Sequence, residues 1–297
     1  MKGSPFIMSK KINSARRVSK NILAFKCPLC ESEMRVVEHK SLICTNNHTF
    51  DFAKQGYLNL MTQQSNSHYS KELFEARHKI INGSELYDEM HKSISNVIKN
   101  SMDTSINPCL IVDLGCGEGS HLQRIIDGCE IEAITGVGLD IAKEGIVAAA
   151  KRYENPIWLV GDLAKSPLAD HSFYVILNIL SPSNYKEFKR MLVQDGLVIK
   201  VVPGPNYLKE IREALFESTE KKDYKNDDTI SLFKEHFKVI HNIKLNYTKI
   251  LTKEELYNLV GMTPLAWSGD QDRINAFRNQ ASAEITVDLE ILVGINK

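Results

Sequence analysis

The chain has 297 residues, and 43% of them are hydrophobic, which is enough for one main core with a smaller appended unit. Its 37 basic and 37 acidic residues cancel, so bulk charge does not indicate a nucleic-acid partner and any RNA-binding surface must be local. The sequence has no apolar run of roughly 18 residues and no signal-peptide core, so we expect a cytoplasmic protein that does not contact membranes.

Residues 1–22 form a basic tail, in which no acidic residue occurs. Its basic residues are Lys2, Lys10, Lys11, Arg16, Arg17 and Lys20. Such a tail either lies on RNA phosphates or stays disordered in solvent, and the composition does not choose between these alternatives.

Residues 23–60 contain a metal-ligand pattern made of Cys27, Cys30, Cys44 and His48. Two ligand pairs of this kind can surround a zinc ion tetrahedrally, and residues 34–37 and 41–43 between them suit a short hairpin. We therefore predict a zinc ribbon with one structural zinc ion, stabilised largely by the metal. The alternative is a redox-active pair formed by Cys27 and Cys30 alone.

Residues 61–105 are predicted to form a helical connector or lid. A polar stretch at 62–69 precedes apolar residues at helical spacing over 71–81 and 86–99, and residues 82–84 break the run.

Residues 106–297 alternate between strand and helix signals, which favours a mostly parallel sheet with helices on both faces. Strands are expected at 109–114, 133–140, 156–162, 172–180, 196–203, 238–249 and 284–294. Helices are expected after the glycine loop and at 143–153, 185–192, 207–217 and 253–260. Ligands of such sheets bind at the carboxyl ends of the strands.

The first of these strands runs into a loop with Asp113, Gly115, Gly117, Glu118 and Gly119. This spacing differs from the G-x-G-x-x-G fingerprint of dinucleotide sites. It suits S-adenosylmethionine (SAM), because the loop amides can receive the methionine carboxylate and the acidic residues offset positive charge.

Acidic residues also end the next two strands. Asp140, followed by Ile141, is placed to accept hydrogen bonds from the ribose hydroxyls, and Asp162, followed by Leu163, can meet the adenine amino group. These residues predict a SAM site in a Rossmann-like class I methyltransferase domain, with a seven-stranded, mostly parallel sheet whose last strand is antiparallel.

The chain from the ribbon onward resembles the RlmA family of bacterial 23S rRNA (guanine-N1)-methyltransferases. The resemblance rests on Cys-Pro-Leu-Cys at 27–30, the segments 50–60, 113–119, 138–141 and 148–153, Pro-Gly-Pro at 203–205 and the segment 262–267. It implies methylation of a guanine N1 in a 23S rRNA hairpin near the peptide exit tunnel, with the ribbon helping to recognise the RNA.

The resemblance also implies roles for single residues. It implies that the four ribbon ligands bind zinc and that Gly117, Glu118 and Tyr87 contact SAM. The chain departs from the family at residues 120–121, where Ser-His replaces two tyrosines, and after the Pro-Gly-Pro turn, where Tyr207 stands near the position of a histidine. Tyr207 is kept as a candidate for cofactor contact.

Methyl transfer to guanine N1 requires a group that accepts the N1 proton, and the sequence does not identify it. Asp162 and Asn178 are the candidates, and Asn178 is also a candidate for cofactor contact. Tyr207 and Trp267 are candidate stacking platforms for the unstacked base, although a tryptophan there is more often part of a core.

Two other functions remain open. The chain could methylate a small metabolite, or it could bind zinc and RNA after losing catalysis. The ribbon argues against the first alternative, and the intact glycine loop argues against the second. A homodimer, in which two ribbons form one RNA cleft, is also open.

Overall fold

The computed structural model describes residues 9–63, 69–102, 108–215, 225–263 and 270–297. Trp267 and residues 1–8 of the basic tail lie outside these ranges. None of the helices within them combines the length and apolar character needed to cross a membrane.

The basic tail includes a helix, α1 (Lys10–Lys20), which is capped by the side chain of Ser9 and buries Ser14, Ala15 and Val18. Of the two alternatives for the basic tail, the disordered one therefore does not hold for residues 10–20. Small and apolar residues on one face of the helix pack against the body of the protein, while Arg16 stays exposed on the other face.

The ribbon is a three-stranded antiparallel sheet of β1 (Met34–Val37), β2 (Ser41–Cys44) and β3 (Thr49–Asp51). The predicted hairpin is confirmed, because Val37 pairs with Ser41 and Met34 with Cys44. The chain then forms β4 (Leu58–Asn59), which pairs in parallel with the edge of the larger sheet. This two-residue strand was not predicted, and it joins the ribbon to the methyltransferase domain.

Two helices follow, α2 (Lys71–Gly83) and α3 (Asp88–Ser101), as the spacing predicted. Both bury one apolar face. Their buried residues include Leu73, Phe74 and Ile80 in α2, and Met90 and Ile94 in α3.

Within the described ranges the larger sheet has eight strands, the seven that were expected plus β4. The others are β5 (Cys109–Leu114), β6 (Ile134–Asp140), β7 (Ile157–Val160), β8 (Phe173–Ile179), β9 (Leu192–Pro203), β10 (Phe237–Thr252) and β11 (Ser282–Asn296). Their order is β10-β11-β9-β8-β5-β6-β7-β4, and the last strand, β11, is antiparallel to both neighbours. This order puts the carboxyl ends of β5, β6, β7 and β8 at one edge of the sheet.

The helices of this domain cover both faces of the sheet, each of which has its own apolar core. They are α4 (Ser120–Cys129), α5 (Lys143–Arg152), α6 (Tyr185–Met191), α7 (Lys209–Leu215), α8 (Asp227–His236), α9 (Lys253–Met262) and α10 (Gln271–Arg278). The helices α8 and α10 were missed. In α8 the only fully buried residue is Phe233, and α10 has eight residues, too few for an apolar stripe to stand out.

Candidate functional site

The four predicted zinc ligands lie together. Their donor atoms are all within 4.8 Å of one another. The Sγ atoms of Cys30 and Cys44 are 3.8 Å apart, and Nδ1 of His48 is 3.4–3.5 Å from the Sγ atoms of all three cysteines. Tetrahedral zinc, with Zn–S bonds of about 2.3 Å and Zn–N bonds of about 2.0 Å, requires S···S distances of about 3.8 Å and S···N distances of about 3.5 Å. The cluster therefore fits one structural zinc ion.

The turns around the ligands hold them in this arrangement. The backbone N–H of Cys44 donates to the carbonyl of His48 at 3.0 Å, and the N–H of His48 donates to Sγ of Cys44 at 3.3 Å. Hydrogen bonds from Ser32 lower the pKa of the Cys30 thiol to about 5, so this ligand is a thiolate at neutral pH. A thiolate is the form that binds zinc.

The second site is a cleft of about 910 Å³ at the carboxyl ends of the parallel strands. Eight of the twelve predicted cofactor residues line it, namely Tyr87, Gly115, Gly117, Asp140, Ile141, Asp162, Leu163 and Tyr207. The other four do not, and they are Asp113, Glu118, Gly119 and Asn178.

The glycine loop closes one end of this cleft. Gly115, Gly117 and Gly119 all have positive φ, between 58° and 84°. Oδ2 of Asp140 accepts the N–H of Gly117 at 2.7 Å, and Oδ1 accepts the N–H of Ala142 at 2.7 Å. Asp140 thus ties the loop after β5 to the end of β6, and it still faces the cleft.

Gly119 packs closely against Trp158, and its contact with the cofactor stays a prediction. A Cβ atom at this position would lie 2.8 Å from Cζ3 of Trp158 and nearer still to Cη2. The helix α4 therefore approaches the indole ring through the bare backbone of the glycine.

Asp113 and Glu118 lie behind the loop. Asp113 is 1% exposed, and burial raises the pKa of its carboxyl group to about 7. The side chain of Glu118 is fully buried; it accepts hydrogen bonds from the backbone N–H of Ser120 at 3.0 Å and from the Ser120 hydroxyl at 2.6 Å. Neither residue is among those that line the cleft, and their contact with the cofactor stays a prediction.

Arg77 was missed by the sequence reasoning. It projects from α2 into the cleft, and its Nε donates to Oε1 of Glu118 at 3.1 Å. Its Nε would be 3.3 Å from a Cβ atom at Gly117. Arg77 therefore brings a positive charge to the end of the cleft that the glycine loop borders.

Tyr87 and Tyr207 lie side by side, and their hydroxyl oxygens are 2.6 Å apart. The ring of His121 packs edge-on against Tyr87 with centroids 5.3 Å apart, and its Nδ1 is 2.8 Å from Nε2 of His91. Both imidazoles are buried, which lowers the pKa of His91 to about 3 and keeps this pair neutral. The departure from the family at residue 121 is thus accommodated by a buried polar pair.

Of the two candidate proton acceptors, only Asp162 faces the cleft, and its Oδ1 accepts the N–H of Ala164 at 2.8 Å. Asn178 is completely buried. Its Nδ2 donates to the Leu114 carbonyl at 3.2 Å and the Pro182 carbonyl at 3.0 Å, and its Oδ1 accepts from Lys200 at 2.7 Å. These bonds occupy the amide, so Asn178 shapes the loop after β8 and does not line the cleft.

The sheet order, the glycine loop and the acidic residues that end β6 and β7 define a class I SAM-dependent methyltransferase, here carrying a zinc ribbon. Residues 25–68 match the family model described as "RlmA, N-terminal", and residues 111–196 match the model described as "Methyltransferase domain".

Curated relatives of the chain match it over most of their own length. The putative 23S rRNA (guanine-N(1)-)-methyltransferase YxjB of Bacillus subtilis (strain 168) is 40% identical over 91% of this chain and 96% of its own. The 23S rRNA (guanine(748)-N(1))-methyltransferase of Streptomyces fradiae is 28% identical over 86% of this chain and 90% of its own. The chain belongs to the RlmA family of 23S rRNA (guanine-N1)-methyltransferases.

Proposed function

We propose that the chain transfers the methyl group of SAM to N1 of a guanine in a hairpin of 23S rRNA near the peptide exit tunnel. The observation that carries this proposal is the parallel pairing of β4 with β7, in which Leu58 pairs with Leu159 and Asn59 with Val160. An RNA-binding ribbon attached in this way holds its RNA at a fixed distance from the cleft. A free metabolite would gain nothing from such a module.

Within the cleft we propose that Asp140 accepts hydrogen bonds from the ribose hydroxyls and that Asp162, with Leu163, lies beside the adenine. Ile141, which is 42% exposed, covers the open side of the nucleoside. The methionine end then runs along Gly115 and Gly117 toward Arg77 and the tyrosine pair. This direction is supported by the positive charge of Arg77 beside the loop amides.

The volume of the cleft supports entry of the cofactor and a single base, not of a folded hairpin. We therefore propose that the target guanine is unstacked from the RNA and presented to the cleft. The rest of the hairpin contacts the ribbon and the exposed basic side of α1, where Arg16 and Lys20 point into solvent. Tyr207 stays a proposed stacking partner of the base.

We propose the domain division as a basic N-terminal segment (1–22), a ribbon (23–60), a helical connector (61–105) and a methyltransferase domain (106–297). A cytoplasmic location follows from the proposed rRNA substrate. We also propose a homodimer, in which two ribbons flank one RNA, and light scattering of the purified protein would test it.

The decisive experiment incubates the zinc-loaded protein with methyl-labelled SAM and 23S rRNA that lacks the modification. We expect label on N1 of a single guanine, which also stops reverse transcription because methylation blocks the Watson–Crick edge. Label found only on small molecules would favour a metabolite methyltransferase. SAM binding without any transfer would favour a protein that has lost catalysis.

A further inference from the structure

One buried cation in the cleft, Lys200, has no acidic partner among the described residues. Lys200 of β9 is 4% exposed, lines the cleft and pairs in register with Asn178 of β8. Its Nζ donates to Oδ1 of Asn178 at 2.7 Å and to Oγ of Ser183 at 2.6 Å, and the Ser181 carbonyl oxygen is 3.4 Å away. All three partners are neutral oxygen atoms.

Burying an ammonium group without a counter-ion is unfavourable, so this environment favours the neutral amine. Burial lowers the pKa of Lys200 to about 8. The titratable side chains that share the cleft wall or face it include Tyr185 of α6, Asp228 of α8, and Asp140 and Asp162. In the part of the chain that the structure describes, none of these groups is ion-paired with Lys200.

In the neutral form of Lys200, the two short hydrogen bonds leave the lone pair of Nζ free to accept a proton. A neutral primary amine has two N–H bonds and one lone pair, and the two short bonds to Asn178 and Ser183 use both hydrogens. The third bond, to the Ser181 carbonyl at 3.4 Å, is the weakest of the three. Deprotonation of Nζ gives up this weak bond and leaves a lone pair on the amine.

Lys200 also lies on the cleft wall beside the proposed methionine end. The acidic residues after β6 and β7 mark the nucleoside end, and the glycine loop with Arg77 marks the methionine end. The wall formed by residues 179–183 and 200–203 adjoins the glycine loop, because a Cβ atom at Gly115 would lie 2.8 Å from the Ser181 side chain. A base approaching the methyl group would pass along this wall.

We propose that Lys200 is the catalytic residue that accepts the N1 proton of the target guanine, an inference that rests on the proposed function. As N1 attacks the methyl carbon, the N1–CH₃ bond forms and the S–CH₃ bond breaks, with its electron pair going to sulfur. The N1–H proton moves to the lone pair of Nζ, and the resulting ammonium group returns it to solvent. The products are N1-methylguanine, S-adenosylhomocysteine and a proton.

The first test compares three variants of the full-length, zinc-loaded enzyme by single-turnover methyl transfer to rRNA. Lys200→Met and Lys200→Arg should both slow transfer by about 100-fold or more, because neither side chain can accept a proton at neutral pH. Lys186→Met removes an exposed lysine from α6 near the same loop and should keep the wild-type rate. Near-wild-type transfer by Lys200→Arg would overturn the proposal, because it would show that only the charge matters.

The second test separates proton transfer from a structural role. Lys200→Ala, with S-adenosylhomocysteine affinity checked by calorimetry, is assayed with added alkylamines of graded basicity and similar size. We expect rescue that grows with the basicity of the amine. Rescue that is independent of basicity, or no rescue with cofactor binding intact, would contradict a proton acceptor. If the wild-type enzyme itself fails to methylate guanine N1, the proposed function fails, and that result is distinct from both outcomes.

Discussion

Nε of Arg77 donates a hydrogen bond to Oε1 of Glu118 at 3.1 Å, which joins α2 to the glycine loop across 41 residues of sequence. The side chain of Glu118 is completely buried, whereas that of Arg77 is 20% exposed toward the cleft. Among the described residues only Glu118 is hydrogen-bonded to this guanidinium group, through Nε. Its two terminal nitrogens are therefore available for a carboxylate, such as that of the methionine part of SAM.

Replacing Arg77 should weaken only ligands that carry the amino-acid group. We expect Arg77→Met to lower the affinity for S-adenosylhomocysteine by about 10- to 100-fold, the contribution of a charge-assisted hydrogen bond. Affinity for 5′-methylthioadenosine, which lacks the amino acid, should stay unchanged. Asp140→Ala is the control, because loss of a ribose contact should weaken both ligands while zinc content stays intact. Equal weakening of both ligands by Arg77→Met would mean that Arg77 only positions α2.

The contrast between Arg77 and the zinc ligands shows what could be predicted from sequence. Cys27, Cys30, Cys44 and His48 were identifiable because zinc ligands on two turns keep a local spacing. Arg77 could not be identified in this way, because its partner Glu118 is distant in the sequence. A single basic residue in an amphipathic helix also does not stand out from the other polar residues of that helix.

The fold was predictable to a similar extent. The strand at 109–114 and the antiparallel last strand followed from apolar runs and their order along the chain. The strand β4 could not be predicted from the sequence, because a strand of two residues forms only by pairing with β7. The glycine loop predicted a SAM site, but only the tertiary structure distinguishes the side chains that face the cleft, such as Asp140, from those behind the loop, such as Glu118.

Gly119 should not tolerate a methyl group. Its φ is +80°, and a Cβ atom would overlap the Trp158 ring, so Gly119→Ala should lower the free energy of unfolding by about 2–4 kcal/mol. Urea denaturation measures this change. The matched control is Gly83→Ala at the end of α2, where a Cβ atom would have no other atom within 4 Å. A loss for Gly119→Ala no larger than that of the control would contradict the tight contact.

Asp113 should make the cofactor-free protein less stable as pH rises. Burial raises the pKa of this carboxyl group from 3.8 to about 7. The stabilisation associated with its protonated form is fully present below pH 3.8 and is lost as pH rises through about 7. Asp113→Asn stays neutral, so its stability advantage over the wild type should grow by roughly 2 kcal/mol between pH 5 and pH 8.

Urea denaturation at the two pH values measures this difference, and the exposed substitution Asp127→Asn serves as the control. An advantage of Asp113→Asn that stays constant with pH would show that Asp113 is already ionised in the folded protein at pH 5.

Loss of zinc should affect RNA methylation more than cofactor binding. Phe25 and Cys27 of the ribbon belong to the same apolar core as Val137, Leu139 and Leu159 of the sheet. Cys27→Ser should therefore abolish stoichiometric zinc and lower the melting temperature, since the metal supplies much of the stability of the ribbon. The described residues that line the cleft lie outside the ribbon, so affinity for S-adenosylhomocysteine at low temperature should stay within about twofold of the wild-type value.

Methylation of 23S rRNA by Cys27→Ser should fall at least tenfold under the same conditions. Cys129→Ser replaces a buried cysteine of α4 outside the ribbon and should keep both zinc and activity. Elemental analysis, calorimetry and methyl transfer report the three quantities separately. Normal rRNA methylation by the zinc-free protein would show that the ribbon does not recognise RNA, because its ligand geometry would then be dispensable for the reaction. Loss of cofactor binding together with zinc would instead show that the ribbon supports the cleft through the shared core.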